Sequence, residues 1–225
     1  KDQVSSIDDR DYFGYSVAFL PDIDGNGRPE LVAGATRHDH DDGRGAAWIV
    51  GLNADGSASS VIKEISNDDA EPMPFGFGFH PAFAWPLPGG AGKPHEITLA
   101  NGAEPALARL SGGLLPPDRL PSPFTAGRLE LAHDQFEADA MIFPEGAGEA
   151  LRYGVPGGPA LEFEFDNLPN LALWQPPGAP FLCVEPWHGM AAATGASPQV
   201  AERPFSQSLA PGATSRFAWR VTARL

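Results

Sequence analysis

The residues best suited to acid–base chemistry are one histidine and one glutamate in two apolar stretches of the sequence. His80 lies among aromatic and small residues in PFGFGFHPAFAWPLPGG (74–90). Glu185 ends an apolar run, just before a proline, in PNLALWQPPGAPFLCVEPWHGMA (169–191). An imidazole and a carboxylate in apolar strands can share proton transfer near neutral pH, because burial raises the pKa of a carboxyl group. On spacing alone, a histidine packed within a core remains an alternative.

Short strands must position these two residues. The 225 residues include 26 Gly and 24 Pro, which disfavours long helices and requires frequent turns. The ALEFEF segment alternates apolar and acidic residues and predicts one face in solvent, whereas ADAMIF and PFLCV are continuously apolar and are expected at the centre of a sheet. The pattern predicts stacked antiparallel sheets, a β-sandwich. Its candidate strands after Pro74 are HEITLA, RLELA, ADAMIF, ALEFEF, LALW, PFLCVE and RFAWRVTA.

Several of these segments resemble one known family. FGFHPAFAWPL resembles the HPxF strand of the aldose 1-epimerase (galactose mutarotase-like) family, and APFLCVEPWHG, preceded by LALW, resembles the strand with that family's second catalytic residue. HDQFEADAMIF resembles the segment that contributes an aspartate to the sugar site, and SLAPGATSRFAWRVTA resembles the closing strand. The resemblance covers about residues 64–225, the C-terminal portion of a complete mutarotase, and implies a supersandwich-like all-β fold.

The resemblance also implies a function and a set of site residues. Members of the family interconvert the α and β anomers of a free hexose by acid–base ring opening, without a cofactor. By the match, Glu185 is the base, His80 is the acid, and Asp139 holds sugar hydroxyls. The aromatic residues that could offer a face to a pyranose, with core packing as the alternative, are Trp85, Trp174 and Trp187.

One departure from the family keeps a second function open. The family's N-terminal half supplies an arginine and another histidine to the sugar, and these have no counterparts in this sequence. A non-catalytic carbohydrate-binding β-sandwich is therefore the alternative to an epimerase.

The N-terminal segment has a different character. FGYSVAFLPDIDGNGRPELVAGA resembles the FG-GAP repeat of integrin-like propellers, and GAAWIVGLNADGS resembles its continuation. Strands are predicted at Tyr15–Leu20, Glu30–Ala35 and Ala46–Leu52, with ASSVIKEIS as a candidate fourth, which together match one propeller blade. The VIKEIS part of this segment fits equally the end of the blade and the mutarotase strand that precedes the histidine motif. We expect an FG-GAP-like segment at residues 1–63 and a mutarotase-like sandwich at 64–225. Because no Ser- or Gly-rich linker separates them, a recombined, engineered or naturally fused chain is expected.

An acidic loop in this segment predicts a calcium site. Asp22, Asp24, Asn26 and Glu30 place oxygen ligands at positions 1, 3, 5 and 9 of the loop, and hard cations such as Ca²⁺ take six to eight oxygens. Position 12 is Ala33, so the loop fits the FG-GAP type rather than an EF-hand. A solvated acidic hairpin is the alternative. If calcium binding governs, a third function is a Ca²⁺-dependent adhesion-type module.

Charge and cysteine content exclude some partners. The net charge of −14 disfavours nucleic acids and anionic membranes, and it suits a neutral sugar or a cation. Cys183 is the single cysteine, so the chain has no internal disulfide, and we expect it to be a buried packing residue. No apolar run approaches the ~18 residues of a membrane span.

His38 and His40 lie in HDHDD, which is either an exposed turn or a pair of transition-metal ligands. The mutarotase resemblance implies a cytoplasmic protein and the FG-GAP resemblance an extracellular one.

Overall fold

The computed structural model describes residues 13–20, 30–35, 46–50, 61–197 and 199–224, with side chains from Lys63 onward. Within these ranges the chain forms strands and two short 3₁₀ helices, His133–Phe136 and Val200–Glu202, with no α-helix. The predicted all-β class is confirmed. Among the described residues, no helical segment has the length and apolar character of a membrane crossing. The strands are β1 (Phe13–Leu20), β2 (Glu30–Ala35), β3 (Ala46–Val50), β4 (Val61–Ser66), β5 (Met73–Phe75), β6 (Phe77–Gly78), β7 (Ala82–Ala84), β8 (Glu96–Leu99), β9 (Arg128–Glu130), β10 (Met141–Phe143), β11 (Ala150–Gly154), β12 (Ala160–Asp166), β13 (Asn170–Trp174), β14 (Phe181–His188), β15 (Gln207–Leu209) and β16 (Thr214–Arg224).

Two antiparallel sheets form the sandwich. The larger has six strands in the order β4-β16-β12-β11-β8-β9. The smaller has five strands, with β10-β13-β14-β6 in order and β7 paired to β14 beside β6. β5 and β15 pair separately, and β1, β2 and β3 form a three-stranded antiparallel sheet of their own.

The six-stranded sheet shows the alternation that the sequence predicts. In β12, the phenylalanines are buried while Glu164 and Asp166 are exposed. The partner strand β16 places arginines opposite these acids, with Arg220 3.5 Å from Glu164 and Arg216 2.7 Å from Asp166. Such exposed pairs stabilise a protein by about 1 kcal/mol or less. They mark this face as the solvent side of the sandwich.

Aromatic side chains fill the space between the two sheets. Phe83 of the smaller sheet packs edge-on against Phe163 of the larger one at 4.9 Å, and both contact Trp219. Tyr153, which is fully buried, donates a hydrogen bond of 2.8 Å to the Ala84 carbonyl and so joins β11 to β7. This core covers one face of the smaller sheet. The other face carries a second, smaller apolar cluster formed by Ala108, Leu115, Ile142, Ala172 and Met190.

Three details differ from the sequence-based expectations. β11 and β15 were not predicted. Met141–Phe143 was expected at the centre of a sheet, but β10 ends the strand order. It is nevertheless buried, because Ala108, in the long loop between β8 and β9, bridges to Ile142. β4, whose sequence fits both the end of the blade and a strand of the sandwich, pairs with β16 of the sandwich and crosses the predicted boundary between residues 63 and 64.

Candidate active site

Strand β14 places the central carboxylate. Leu182 and Val184 point into the core between the sheets, and both are fully buried. Because side chains alternate along a strand, Cys183, Glu185 and Trp187 share the opposite face. The neighbouring strand β13 pairs Ala172 with Glu185, so a small side chain stands beside the carboxylate. This face of the smaller sheet is the candidate site.

The segment before His80 carries the histidine to the same face. Phe75, Phe77 and Phe79 pack against the core, whereas the residues between them are exposed. β6 pairs with the end of β14, and the Phe79 amide donates to the Pro186 carbonyl at 3.0 Å. These bonds set His80 directly beside Glu185. The period-two spacing of the phenylalanines is a local sequence signal for this arrangement.

His80 and Glu185 form a close pair. His80 Nδ1 lies 2.7 Å from Glu185 Oε2, with the imidazole side chain 43% exposed and the carboxylate side chain 5% exposed. The hydrogen bond to Glu185 raises the pKa of His80 above its usual 6.5, although partial burial opposes the rise. Burial raises the pKa of Glu185, and the His80 contact only partly offsets it. The pair therefore combines a partly exposed imidazole with a desolvated carboxylate.

Asp139 lies at the edge of this pair. Its carboxylate accepts a 2.9 Å hydrogen bond from the Trp174 indole N–H, and the Trp174 ring lies 5.7 Å from the His80 ring. The negative charge of Asp139 also raises the pKa of Glu185. The structure thus brings four predicted residues together, although their roles in binding or catalysis remain predictions.

Arg109 was missed from the sequence. Its guanidinium group donates to the backbone carbonyls of Gln135, at 2.6 Å, and of Ala138 and Asp139. It therefore fixes the turn in which Asp139 adopts a positive φ of 69°. Arg109 lies in an irregular proline-rich stretch, and no local pattern there indicates that it reaches residues about 26 to 30 positions later.

Trp187 connects the pair to a neighbouring pocket. Its indole forms a hydrogen bond with the Glu185 carboxylate, which acts to lower the pKa of that group. The indole also lies against Gly78, so closely that any side chain at position 78 would overlap the ring. Trp187 borders a pocket of about 380 Å³ that is also lined by Gly76, Gly78, Met190, Arg203 and Ser206.

Two predicted features lie elsewhere. Trp85 is 8% exposed and stacks on His133 at 4.2 Å, so its face contacts a protein ring. This contact favours core packing, the alternative given from the sequence, and a role of Trp85 in sugar binding stays a prediction. The proposed calcium loop, Asp22, Asp24 and Asn26, lies outside the described residues, and of Glu30 only the backbone, at the start of β2, is described.

Cys183 is buried, as the sequence predicts. Burial, together with the nearby charge of Glu185, raises the pKa of its thiol to about 12, so the metal-free thiol is not a nucleophile at neutral pH. His188, the residue after Trp187, bonds to the backbone carbonyl of Asn167 at 2.9 Å and contacts Gln207, so it belongs to a surface polar cluster.

Comparison with solved structures identifies the sandwich. A galactose mutarotase-like protein from Lactobacillus casei ATCC 334 superimposes with a TM-score of 0.66 at 21% identity, covering 92% of this chain and 68% of that one. A galactose mutarotase-related enzyme from Lactobacillus acidophilus gives a TM-score of 0.67 at 18% identity, over 93% of this chain and 67% of that one. The chain has the galactose mutarotase-like fold.

Sequence comparisons add two findings. Residues 13–50 match the model of the FG-GAP repeat, which confirms the predicted resemblance of the N-terminal segment. The Protein LacX sequences of Lactococcus lactis subsp. lactis, plasmid and chromosomal, are 27% identical over 168 residues. That alignment takes in 71% of this chain and 56% of the LacX proteins, so the chain spans a little over half of their length.

Proposed function

We propose that this sheet face binds a free aldohexose and interconverts its α and β anomers by acid–base ring opening. The observation that carries the proposal is the 2.7 Å contact between His80 Nδ1 and Glu185 Oε2 on the face of the smaller sheet that points away from the main core of a galactose mutarotase-like sandwich. One member of the pair is buried and the other is partly exposed, so a ligand could reach both groups from the same side.

The chemistry needs only these two groups. The Glu185 carboxylate takes the proton of the C1 hydroxyl while the His80 imidazolium donates a proton to the ring oxygen, and the C1–O5 bond breaks. The resulting aldehyde rotates about C1–C2. Attack by O5 on the other face of C1 then returns the O5 proton to His80 and the Glu185 proton to the C1 oxygen. Proton transfer by a positioned side chain contributes typically ~10²–10⁴-fold. The cycle has no net oxidation or proton loss and requires no cofactor.

Neighbouring groups are suited to hold the ring. Asp139 offers carboxylate oxygens for sugar hydroxyls, and Trp174 fixes it through the 2.9 Å hydrogen bond. Trp187 presents an indole at the border of the pocket, where the apolar side of a pyranose could pack. The neighbouring pocket of about 380 Å³ shares Trp187 with this face, whereas His80 and Glu185 do not line it.

Polarimetry tests this proposal directly. Freshly dissolved α-glucose or α-galactose should reach its equilibrium rotation faster with the protein than in buffer alone. His80→Asn should reduce the acceleration, because the amide cannot act as an acid. Isothermal titration calorimetry with the same sugars separates the two candidate functions. Sugar binding without any acceleration would assign a non-catalytic carbohydrate-binding role, and neither binding nor acceleration would contradict both.

A further inference from the structure

Three potential metal ligands meet at the candidate site. Cys183 and Glu185 are two residues apart on β14 and share one face, and His80 lies beside them. The Cys183 Sγ, one His80 ring nitrogen and one Glu185 carboxylate oxygen all lie within 4.8 Å of one another. Cys183 has no part in the proposed sugar chemistry, so its place in this cluster calls for a separate explanation.

We propose that His80, Cys183 and Glu185 form a binding site for a transition-metal ion of the Zn²⁺ class. Zinc binds thiolate at ~2.3 Å and imidazole or carboxylate at ~2.0–2.2 Å, so the ligand atoms of a tetrahedral site stand about 3.3–3.6 Å apart. The distance between His80 Nδ1 and Glu185 Oε2, now 2.7 Å, would have to increase by less than about 1 Å. The largest distance between any two of the three ligand atoms, which is at most 4.8 Å, would have to decrease by little more than about 1 Å. Small side-chain rotations are enough for both changes.

The ligand set selects the kind of metal. A thiolate and an imidazole favour zinc or similar transition metals, whereas Ca²⁺ and Mg²⁺ require oxygen ligands. Three protein ligands leave a fourth position for water, the arrangement found in accessible zinc sites rather than closed structural ones. The partly exposed His80 provides an entry path, and the charge of Asp139 together with the net charge of −14 favours a cation.

The site would act as an inhibitory switch. A bound metal replaces the His80–Glu185 hydrogen bond and takes the lone pairs that proton transfer needs, and it displaces the Cys183 thiol proton into solvent. Zinc should therefore stop anomer exchange. This consequence, unlike metal binding itself, rests on the proposed function.

Cobalt spectroscopy on the full chain gives the clearest test. Cys183 is the single cysteine, so a near-ultraviolet thiolate-to-Co²⁺ charge-transfer band in chelator-treated protein can arise only from this residue. We expect one equivalent of Co²⁺ to produce the band and one equivalent of Zn²⁺ to remove it. Absence of the band in the parent protein would overturn the proposal, whatever the variants do.

Matched variants distinguish this site from other metal-binding segments. Cys183→Ala should abolish the band and weaken Zn²⁺ binding at least tenfold by calorimetry, with Cys183→Ser as a second variant if the first does not fold. The double variant His38→Ala/His40→Ala should retain the band, because it alters only the HDHDD segment. Unchanged Zn²⁺ affinity in both Cys183 variants would refute the site.

The activity assay separates this inference from the proposed function. Zn²⁺ should suppress the polarimetric acceleration in the parent and have at least tenfold less effect on Cys183→Ala. A cobalt band without any acceleration in metal-free protein would uphold the metal site and reject the epimerase. Acceleration that Zn²⁺ leaves unchanged in the parent would reject the inhibitory metal site and uphold the epimerase.

Discussion

Replacing Glu185 with glutamine removes the proposed base while keeping almost the same side-chain shape. The carboxylate side chain is 5% exposed, so a larger change would risk a packing defect. The glutamine carbonyl can still accept the hydrogen bond from the Trp187 indole, and the amide can still contact His80. The substitution therefore tests the proton acceptor rather than the architecture around it.

The expected loss follows from the role assigned to the residue. A positioned general base contributes about 10²–10⁴-fold, which corresponds to roughly 3–5 kcal/mol of activation free energy. We expect Glu185→Gln to lower the polarimetric rate, after subtraction of the buffer reaction, by that factor. Glu164→Gln is the matched control, because Glu164 also lies on a strand but is 68% exposed on the opposite sheet. It should leave the rate unchanged.

The same variant should not lose stability. Burial raises the pKa of Glu185, so the folded protein holds that proton more tightly than the unfolded chain does. The stability contributed by proton uptake is present below the unfolded pKa and is lost as pH rises through the folded pKa. At pH 8 the parent carries a buried carboxylate that the glutamine variant lacks. The variant should therefore melt at the same or a higher temperature at pH 8, and its advantage should shrink as the pH falls through the carboxyl range.

Two results would refute this reasoning. A full rate in Glu185→Gln would exclude Glu185 as the base. A melting temperature several degrees lower at pH 8 would show that the carboxylate stabilises the fold, and any loss of rate would then reflect altered structure. Thermal denaturation followed by circular dichroism distinguishes these cases.

Three further predictions concern the pH profile, the pocket and the N-terminal loop. The polarimetric rate should show a bell-shaped dependence on pH. Because both pKa values are raised, we expect the acid limb, set by Glu185, above the ordinary carboxyl range and the alkaline limb, set by His80, above 6.5. Limbs at the unshifted pKa values would contradict this argument. Gly78→Val should push the Trp187 indole out of place and weaken sugar binding, measured by calorimetry, at least tenfold. The far-ultraviolet circular dichroism spectrum should stay unchanged. An unchanged affinity for sugar would exclude that indole from the binding surface. Ca²⁺ should raise the melting temperature of the parent and not of Asp24→Ala, because a ligand bound only to the folded state stabilises it; no rise in the parent would leave an ordinary acidic turn.

Several strands could be predicted because each carries its own local pattern. β12 shows period-two burial with acids on the exposed side, and its segment was predicted from that alternation. β10 and β14 are buried almost throughout, and their segments were predicted from continuous apolar runs. β11 was missed because ALRYG is short and bounded by glycine-rich turns. Its strand conformation depends on pairing with β12, the next strand in the chain, on one side and with β8, about 50 residues earlier in the sequence, on the other.

Strand partners were harder to predict than strands. The segment at Val61–Ser66 has the same β pattern whether it completes a propeller blade or joins the sandwich. Its pairing with β16, about 150 residues away, is decided by burial against the core and not by its local sequence. The same limit explains Trp85, whose aromatic type suited a sugar platform but whose environment is set by His133.

The candidate site shows where sequence reasoning succeeds and where it stops. Because side chains alternate along a strand, the sequence of β14 alone places Cys183 on the same face as Glu185. The third metal ligand could therefore have been predicted from the sequence, but the apolar surroundings of Cys183 favoured a packing role. That His80 meets them depends on the register between β6 and β14, in which Gly78 lies opposite Trp187. A shift of one residue in that register would turn the imidazole to the core side and separate both the acid–base pair and the metal ligands. The proposed catalytic pair and the proposed metal site therefore depend on the same few backbone hydrogen bonds. A variant that disturbs the pairing of Gly78 with Trp187 should weaken both sugar binding and the cobalt absorption band.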